Sequence, residues 1–402
     1  MLRSTKSNAH DIRNNDMNAS RRKVLAGLGA AAVGSSLPAW AARTAKRGHQ
    51  DAVHITPTHY LSESIAKLTY DFDSNPNLRT ILGDWQGTPR DFSGRYLNNE
   101  YPHNDDVFRL LEWQLYGEST RAAKAADTFK LRVDRDSTVL KRDEDCIVWM
   151  GHATFYMCLG GVRFLTDPVF GNIFGRDRLC SLPFSPADIK DLDYILLSHA
   201  HQDHADPASM SYLRHRNANT RYLCGLQAGE LIKEWTGSEH IQEAGWFQQF
   251  NTSTLFKSAN LEVYYMPARH WSRRGLFDAN KHLWGSYVIR TNGKTIFWGG
   301  DSGYGSHFKI VREIFGDIDV CILGVGAFKP EWFMEQNHTS PLKAIRAATD
   351  MGARTFIPMH YGTFELGDES VGEPVRMLEK IRDSGTANTR ILIPRVGERV
   401  MV

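Results

Sequence analysis

Six residues, His199-Ala-His201-Gln-Asp203-His204, constrain this chain more than any other stretch of it. They follow the apolar run Tyr194-Ile-Leu-Leu, which reads as a buried strand. They precede Asp206-Pro207, which reads as a helix N-cap and first helical position. The cluster therefore falls on a strand-to-helix loop, a usual place for chemistry in α/β proteins. On extended chain His199 and His201 point the same way and can share one cation. Asp203 and His204, entering the helix turn, can reach a second. Neutral imidazole and carboxylate suit zinc, and also iron or manganese. A lone histidine is more often a surface or satisfied core residue, but three histidines and an aspartate in six positions are poorly explained that way.

The start of the chain has a different character. Ser20-Arg21-Arg22-Lys23-Val24-Leu25 opens a weakly hydrophobic run to Leu37, and Ala39-Trp40-Ala41 places small residues two apart. This pattern predicts a twin-arginine export signal over residues 1–41, cleaved near Ala41, and hence a periplasmic protein. The apolar run is shorter than the ~20 residues a bilayer span needs. Twin-arginine export machinery carries folded proteins, often with a metal already loaded, so leader and cluster agree. Without residues 1–41 the chain keeps 42 basic and 44 acidic residues, a near-neutral balance with no global field to recruit nucleic acid. Nucleic acid is therefore not an expected partner.

Five cysteines, Cys146, Cys158, Cys180, Cys224 and Cys321, show no CxxC spacing. Four of them lie in apolar strand-like runs and read as buried thiols, although an oxidising periplasm allows one disulfide.

Residues 42–140 mix Asn-Pro, glycine and charge with short aromatic pieces, and read as an N-terminal arm with some helix, packed on the main domain. From Cys146 the pattern changes to short apolar, β-branched and aromatic runs bounded by Gly, Pro, Asn or Asp. They fall at Cys146–Met150, Phe155–Leu159, Val162–Thr166, Tyr194–Leu197, Arg221–Cys224, Leu261–Met266, Trp284–Arg290, Thr295–Trp298, Val320–Leu323, Thr355–Pro358 and Arg390–Ile393. Helical patterns separate the later runs: Leu226–Trp235, His307–Phe315, Pro341–Met351 and Val371–Asp383. Two strand-rich stretches, each closed by helices, predict one large α/β domain of layered sheets over residues 141–402.

The cluster resembles the HxHxDH signature of the metallo-β-lactamase superfamily, and the resemblance runs from about Cys146 to the C-terminus. It sharpens toward the N-acyl-phosphatidylethanolamine-hydrolysing phospholipase D group through Thr166-Asp-Pro-Val-Phe170, His282-Leu-Trp-Gly-Ser286, Gly300-Asp-Ser-Gly-Tyr304, Gly326-Ala-Phe-Lys-Pro-Glu-Trp-Phe-Met334 and Met359-His-Tyr-Gly-Thr-Phe364. The resemblance implies an αβ/βα four-layer sandwich with metals at one edge. It also implies that His199, His201 and His270 hold one ion, that Asp203, His204 and His360 hold another, and that Asp301 lies between them. Two ions ~3.5–4 Å apart bring the pKa of a bridging water toward ~7, so the implied chemistry is hydroxide attack without a serine or cysteine nucleophile. Asp203, Asp301 and His338 are then the expected catalytic residues, and two divalent ions, zinc by preference, the cofactors.

Other residues carry weaker expectations. His338, in Gln336-Asn-His-Thr-Ser-Pro341, either serves the chemistry by protonating a leaving oxygen or caps the helix that Pro341 starts. His152 reads as a support near the metals, and Asp167 as a carboxylate that steadies a metal-binding histidine or makes a turn. His282 and His307 are given no role. Gly299-Gly300 and Gly324-Val-Gly326 lack GxGxxG spacing and read as points of close backbone approach. Trp271, Trp284, Phe328, Trp332 and Phe364 either line an acyl-chain groove or, for most of them, fill the core.

The leading expectation is a two-metal phosphodiesterase acting on a small-molecule or phospholipid substrate, with peripheral membrane contact. A lactone or other ester hydrolase on the same metals is the alternative, and a non-catalytic metal-binding protein the third.

Overall fold

The structure is a computed structural model that describes residues 61–102, 112–113, 120–141, 144–173, 175–252 and 260–402. The export leader expected at residues 1–41 lies outside the described residues.

Two sheets form the centre. The first has the order β17-β4-β5-β6-β7-β8-β9, built from Arg399–Met401 (β17), Cys146–Trp149 (β4), Phe155–Leu159 (β5), Val162–Thr166 (β6), Tyr194–Leu196 (β7), Arg221–Gly225 (β8) and Ile241–Ala244 (β9). The second has the order β16-β15-β14-β13-β12-β11-β10-β2. Its strands are Arg390–Ile391 (β16), Thr355–Met359 (β15), Val320–Gly324 (β14), Lys294–Trp298 (β13), Ser286–Thr291 (β12), Glu262–Met266 (β11), Gln248–Gln249 (β10) and Arg79–Thr80 (β2). Each sheet starts as an antiparallel meander and turns parallel, at β6–β7 in the first and β13–β14 in the second. Parallel neighbours need crossovers, which the chain supplies as helices except between β6 and β7, where a long loop carries only the 3-10 turn Pro186–Asp188. Pro207–Arg214 (α3) and Gly229–Thr236 (α4) serve the first sheet; His307–Phe315 (α5), Pro341–Asp350 (α7) and Glu373–Asp383 (α8) serve the second.

The first sheet shows why its strands read as continuous apolar runs. Ile147, Trp149, Phe155, Met157, Phe164, Tyr194 and Leu196 face the second sheet. The alternating residues Val148, Tyr156, Leu165 and Ile195 face Met210 and Leu213 of α3 and Ile232 of α4. Both faces are buried, so period-2 alternation places apolar residues on each. Between the sheets, the single Tyr287 O–H is shared between Leu197 O and Leu223 O, each 2.8 Å away, and Tyr265 donates to Ser198 O at 2.9 Å. Helices lie outside both sheets, giving the four-layer αβ/βα sandwich.

Part of the arm is built into this sandwich. Arg79–Thr80 adds the edge strand β2 to the second sheet, and Asp71–Asp73 (β1) pairs with Thr88–Arg90 (β3). Two short helices, Glu63–Leu68 (α1) and Arg121–Ala126 (α2), belong to the same stretch. The lone turn of helix Glu331–Met334 (α6) lies in the long β14–α7 connection. All five cysteines are buried free thiols, Cys180 included.

Candidate metal centre

The residues in question lie at the carboxyl ends of strands, where α/β sheets leave room for ligands. Asp167 follows β6, residues 199–204 follow β7, His270 follows β11, Asp301 follows β13 and His360 follows β15. His152 sits in the β4–β5 turn at φ +53°, and His338 in the β14–α7 connection. Helix α3 starts as expected, with Asp206 accepting from the backbone of Ala208 and Ser209 ahead of Pro207.

Two groups of ligand atoms converge. In the first, His199 Nε2 lies 2.9 Å from His201 Nδ1, and His270 Nε2 lies 3.1 Å from the same atom. In the second, His204, His360, Asp203 and His152 bring ligand atoms within 4.8 Å of one another. Asp301 Oδ2 stands between the groups. It is 3.1 Å from His204 Nε2, 3.0 Å from His360 Nε2 and 3.9 Å from His270 Nε2.

Neighbours fix which nitrogen of each ring is bare. His270 Nδ1 donates to Asn337 O at 3.0 Å, which leaves Nε2 as a lone pair. His204 Nδ1 meets Asp167 Oδ2 at 2.6 Å, so Nε2 is the atom turned toward the centre. Ser198 Oγ donates to the same carboxylate at 2.5 Å and is left to accept from His199 Nδ1 at 2.9 Å. Asp167 thus orients two rings, one directly and one through Ser198, by the carboxylate–histidine arrangement that metal sites use.

The electrostatics divide the same way. Burial lowers the pKa of His199 and His270 well below the ordinary imidazole value, and brings His201 to about 4. These three rings are neutral donors. For His204 and His360 burial again opposes charge, but the Asp301 carboxylate, with Asp203 beside it, outweighs it. His204 ends well above the ordinary value and His360 at about 9. Against their own burial, these imidazoliums hold Asp203 and Asp301 well below the carboxylate range. Two buried carboxylates and two buried cations in contact are what a metal site offers when protons stand in for ions.

The residues fit divalent metal. His201 Nε2 and Asp301 Oδ1 are buried without a hydrogen-bond partner, a costly state, and His204 Nε2 and His360 Nε2 have only the Asp301 carboxylate and its neighbour Asp203 to face. The donor set of imidazole and carboxylate is that of zinc, iron or manganese sites.

The structure also places the weaker expectations. His152 Nε2 lies 3.0 Å from Asp203 Oδ2, while its own carbonyl accepts from His360 N at 3.1 Å. Burial brings its pKa to about 3, so it is a neutral ring that can donate to Asp203. It touches ligands of the second group at two points, more than the general support expected of it. His338 does not cap the following helix. Ser340 does, accepting from Lys343 N, while the His338 ring packs edge-on to His270 and Nδ1 lies 3.7 Å from Asp301 Oδ2. Burial holds His338 at about 4, so near neutral pH it is an uncharged ring with one N–H. Gly326 is a point of close approach, since a Cβ there would collide with His360 O. Trp284 and Phe328 are core residues, whereas the Trp271 ring packs against His201 at 4.5 Å and Phe364 against His152 at 5.0 Å.

Sequence reasoning missed Asn98. This buried arm residue accepts from His270 N at 3.1 Å and donates to His270 O at 3.0 Å, bracketing the backbone of a ligand. A lone Asn in a polar stretch carries no spacing signal that could have marked it. Ser198 was missed as well, though its place between an apolar strand and His199 was a usable cue. His307, given no role, is buried and contacts Ser302 Oγ at 3.0 Å directly behind Asp301.

Comparison with known proteins agrees with this geometry. The family described as "Beta-lactamase superfamily domain" matches residues 162–361, about half of the chain. The chain is 29% identical to N-acyl-phosphatidylethanolamine-hydrolyzing phospholipase D 1 of Caenorhabditis elegans, over 59% of this chain and 69% of that protein. It is 31% identical to the mitochondrial N-acyl-phosphatidylethanolamine-hydrolyzing phospholipase D of Saccharomyces cerevisiae, over 62% of this chain and 54% of the yeast protein. The chain thus spans only about half the length of that yeast relative. Among solved structures, a possible metal-dependent hydrolase from Veillonella parvula shares the fold with a TM-score of 0.51. It is 15% identical, and the match covers 64% of this chain and 100% of that one.

Proposed function

This chain belongs to the metallo-β-lactamase superfamily of metal-dependent hydrolases, and on that premise we propose that it is a phosphodiesterase of phospholipase D type that cleaves N-acylphosphatidylethanolamine-like phospholipids. The observation that carries the two-metal part is the position of Asp301 Oδ2 between the His199–His201–His270 group and the Asp203–His204–His360 group. The lipid part is supported by the two phospholipase D relatives.

His199, His201 and His270 would hold one ion, Asp203, His204 and His360 the other, and Asp301 both. Such ions, zinc by preference, supply Lewis acidity that acidifies water and neutralises phosphoryl charge. The chain's own residues supply the rest. Asp167 and Ser198 keep His204 and His199 facing inward, and His152 steadies Asp203. His338, with its side chain 15% exposed, and Asp203, at 18%, open outward where Asp301 at 3% does not, and His338 is the ring among them that holds no ion in this assignment and so can meet substrate. Neutral at working pH, its N–H would hydrogen-bond the oxygen that leaves phosphorus, and the proton given up by the attacking water would end on that leaving alcohol. The twin-arginine pattern supports a periplasmic home for this activity.

The test is product analysis. Metal-replete protein incubated with N-acylphosphatidylethanolamine should release phosphatidic acid and N-acylethanolamine. Hydrolysis of lactones or carboxylic esters with no cleavage of any phosphodiester would replace this reading with the ester-hydrolase alternative.

A further inference from the structure

The loop that leaves His270 carries a feature the metal chemistry does not use. Residues Ser272–Asn280 form a closed loop whose neck is tied by Asn280 N donating to Ser272 O at 2.7 Å and Ser272 N to Asn280 Oδ1 at 3.1 Å. Its root stands on the ligand-bearing loop. Ala200 N donates to Ser272 Oγ, and the Arg274 guanidinium donates to Ala200 O and Ala205 O. Inside, the Asp278 carboxylate accepts from Arg274 N and Gly275 N, and Arg273 caps Gly275 O and Leu276 O. Compact loops with joined ends are often functional.

This ordered frame holds two large apolar side chains out in water. Leu276 is 76% exposed and Phe277 82% exposed. Single exposed apolar residues are ordinary, but an adjacent pair at the tip of a hydrogen-bonded loop is not accounted for by folding. The exposed flanks are cationic, with Arg273 and Lys281 at the surface and Asp278 the only carboxylate between residues 271 and 281, while Arg274 is turned inward toward Ala200, Ala205 and Trp235. Apolar tip residues over basic flanks match an anionic bilayer surface, which takes the side chains below its headgroups and the cations among its phosphates.

We propose that Leu276 and Phe277 form a membrane anchor that seats the protein on anionic phospholipid beside the metal centre. The inference rests on the lipid-substrate reading for its choice of a bilayer over a protein partner. Because Trp271 both packs on His201 and leads into the loop, insertion of the tip places the metal centre close to headgroup depth.

The test is cosedimentation of zinc-loaded protein with vesicles of phosphatidylethanolamine and phosphatidylglycerol, with pure phosphatidylcholine vesicles as control. Wild type should bind the anionic vesicles and leave the neutral ones. The double variant Leu276→Ser with Phe277→Ser should bind at least about tenfold more weakly, given what burial of each side chain contributes. Its zinc content, melting temperature and hydrolysis of soluble bis(p-nitrophenyl) phosphate should match wild type. Equal vesicle binding by wild type and variant overturns the anchor, as does wild type that ignores anionic vesicles or binds neutral ones equally. Binding is scored without turnover, so the two readings separate. Anchoring with no lipid cleavage keeps the anchor and removes the phospholipase reading; lipid cleavage in detergent with unaltered vesicle binding by the variant does the reverse.

Discussion

Asp167 Oδ2 accepts from His204 Nδ1 at 2.6 Å, both groups fully buried, and the same oxygen accepts from Ser198 Oγ, which in turn meets His199. One carboxylate therefore sets the tautomer of a histidine in each of the two ligand groups. Asp167→Asn would replace an acceptor by an amide that can present N–H to His204. Metal affinity should fall roughly 10–100-fold, the usual cost of losing such a partner, with the fold intact. Competition with a chelator, read beside the circular dichroism of each protein, checks this.

Asn98 predicts a comparable loss from much farther away in sequence. Its two hydrogen bonds to the His270 backbone would vanish in Asn98→Ala and leave buried donors and acceptors open, at about 1–3 kcal/mol. The first-group ion should exchange faster, while the second-group ion stays. Cobalt substitution followed by visible spectroscopy reads the two sites apart.

Protons and metal compete for the second group. Without metal, His360 titrates at about 9 and His204 well above its ordinary value. Below those values both rings carry the protons that ions must displace. Zinc affinity should therefore climb as pH rises toward about 9, by up to tenfold per unit for each proton released. For the metal-free protein the sign is opposite. A raised folded pKa stabilises fully below the unfolded value and loses that contribution as pH rises, so the apo melting temperature should drop between about 6.5 and 9. Calorimetry in buffers of different ionisation heat counts the protons, and a thermal series checks the stability slope.

Gly326 allows the β14 exit to pass against His360. In Gly326→Ala the new methyl group would have to displace His360 O, and overpacking of this kind costs about 1–3 kcal/mol. Because His360 rides on that backbone, second-group metal should be lost before the protein unfolds. Metal content measured beside melting temperature would show the order.

The legible parts of the sequence are those where one local signal decides the structure. Strands such as Phe155–Leu159 and Val162–Thr166, and the helix His307–Phe315, carry enough apolar pattern to fix their own ends. Ile241–Ala244 and Arg399–Met401 do not, since Gln242, Glu243 and Arg399 lie in strands that exist only because a partner strand pairs with them. Gln248–Gln249 and Arg79–Thr80 are shorter still, and their pairing across the sheet edge is a tertiary fact. The ligand histidines stood out by spacing or by resemblance. Asn98, Ser198 and the carbonyl of Asn337 did not, because they act on ligands through backbone or hydroxyl groups that any polar residue could supply.

The two-metal claim rests on Asp301 standing between the ligand groups, and metal stoichiometry tests it most directly. Protein purified without chelator and saturated with zinc should hold two equivalents per chain by mass spectrometry of its metal content. Asp301→Asn should hold one or fewer and lose phosphodiesterase activity by at least about a thousandfold, given several kcal/mol of charge stabilisation from the ions it joins. A wild-type protein that saturates at one equivalent while retaining full activity would contradict the account.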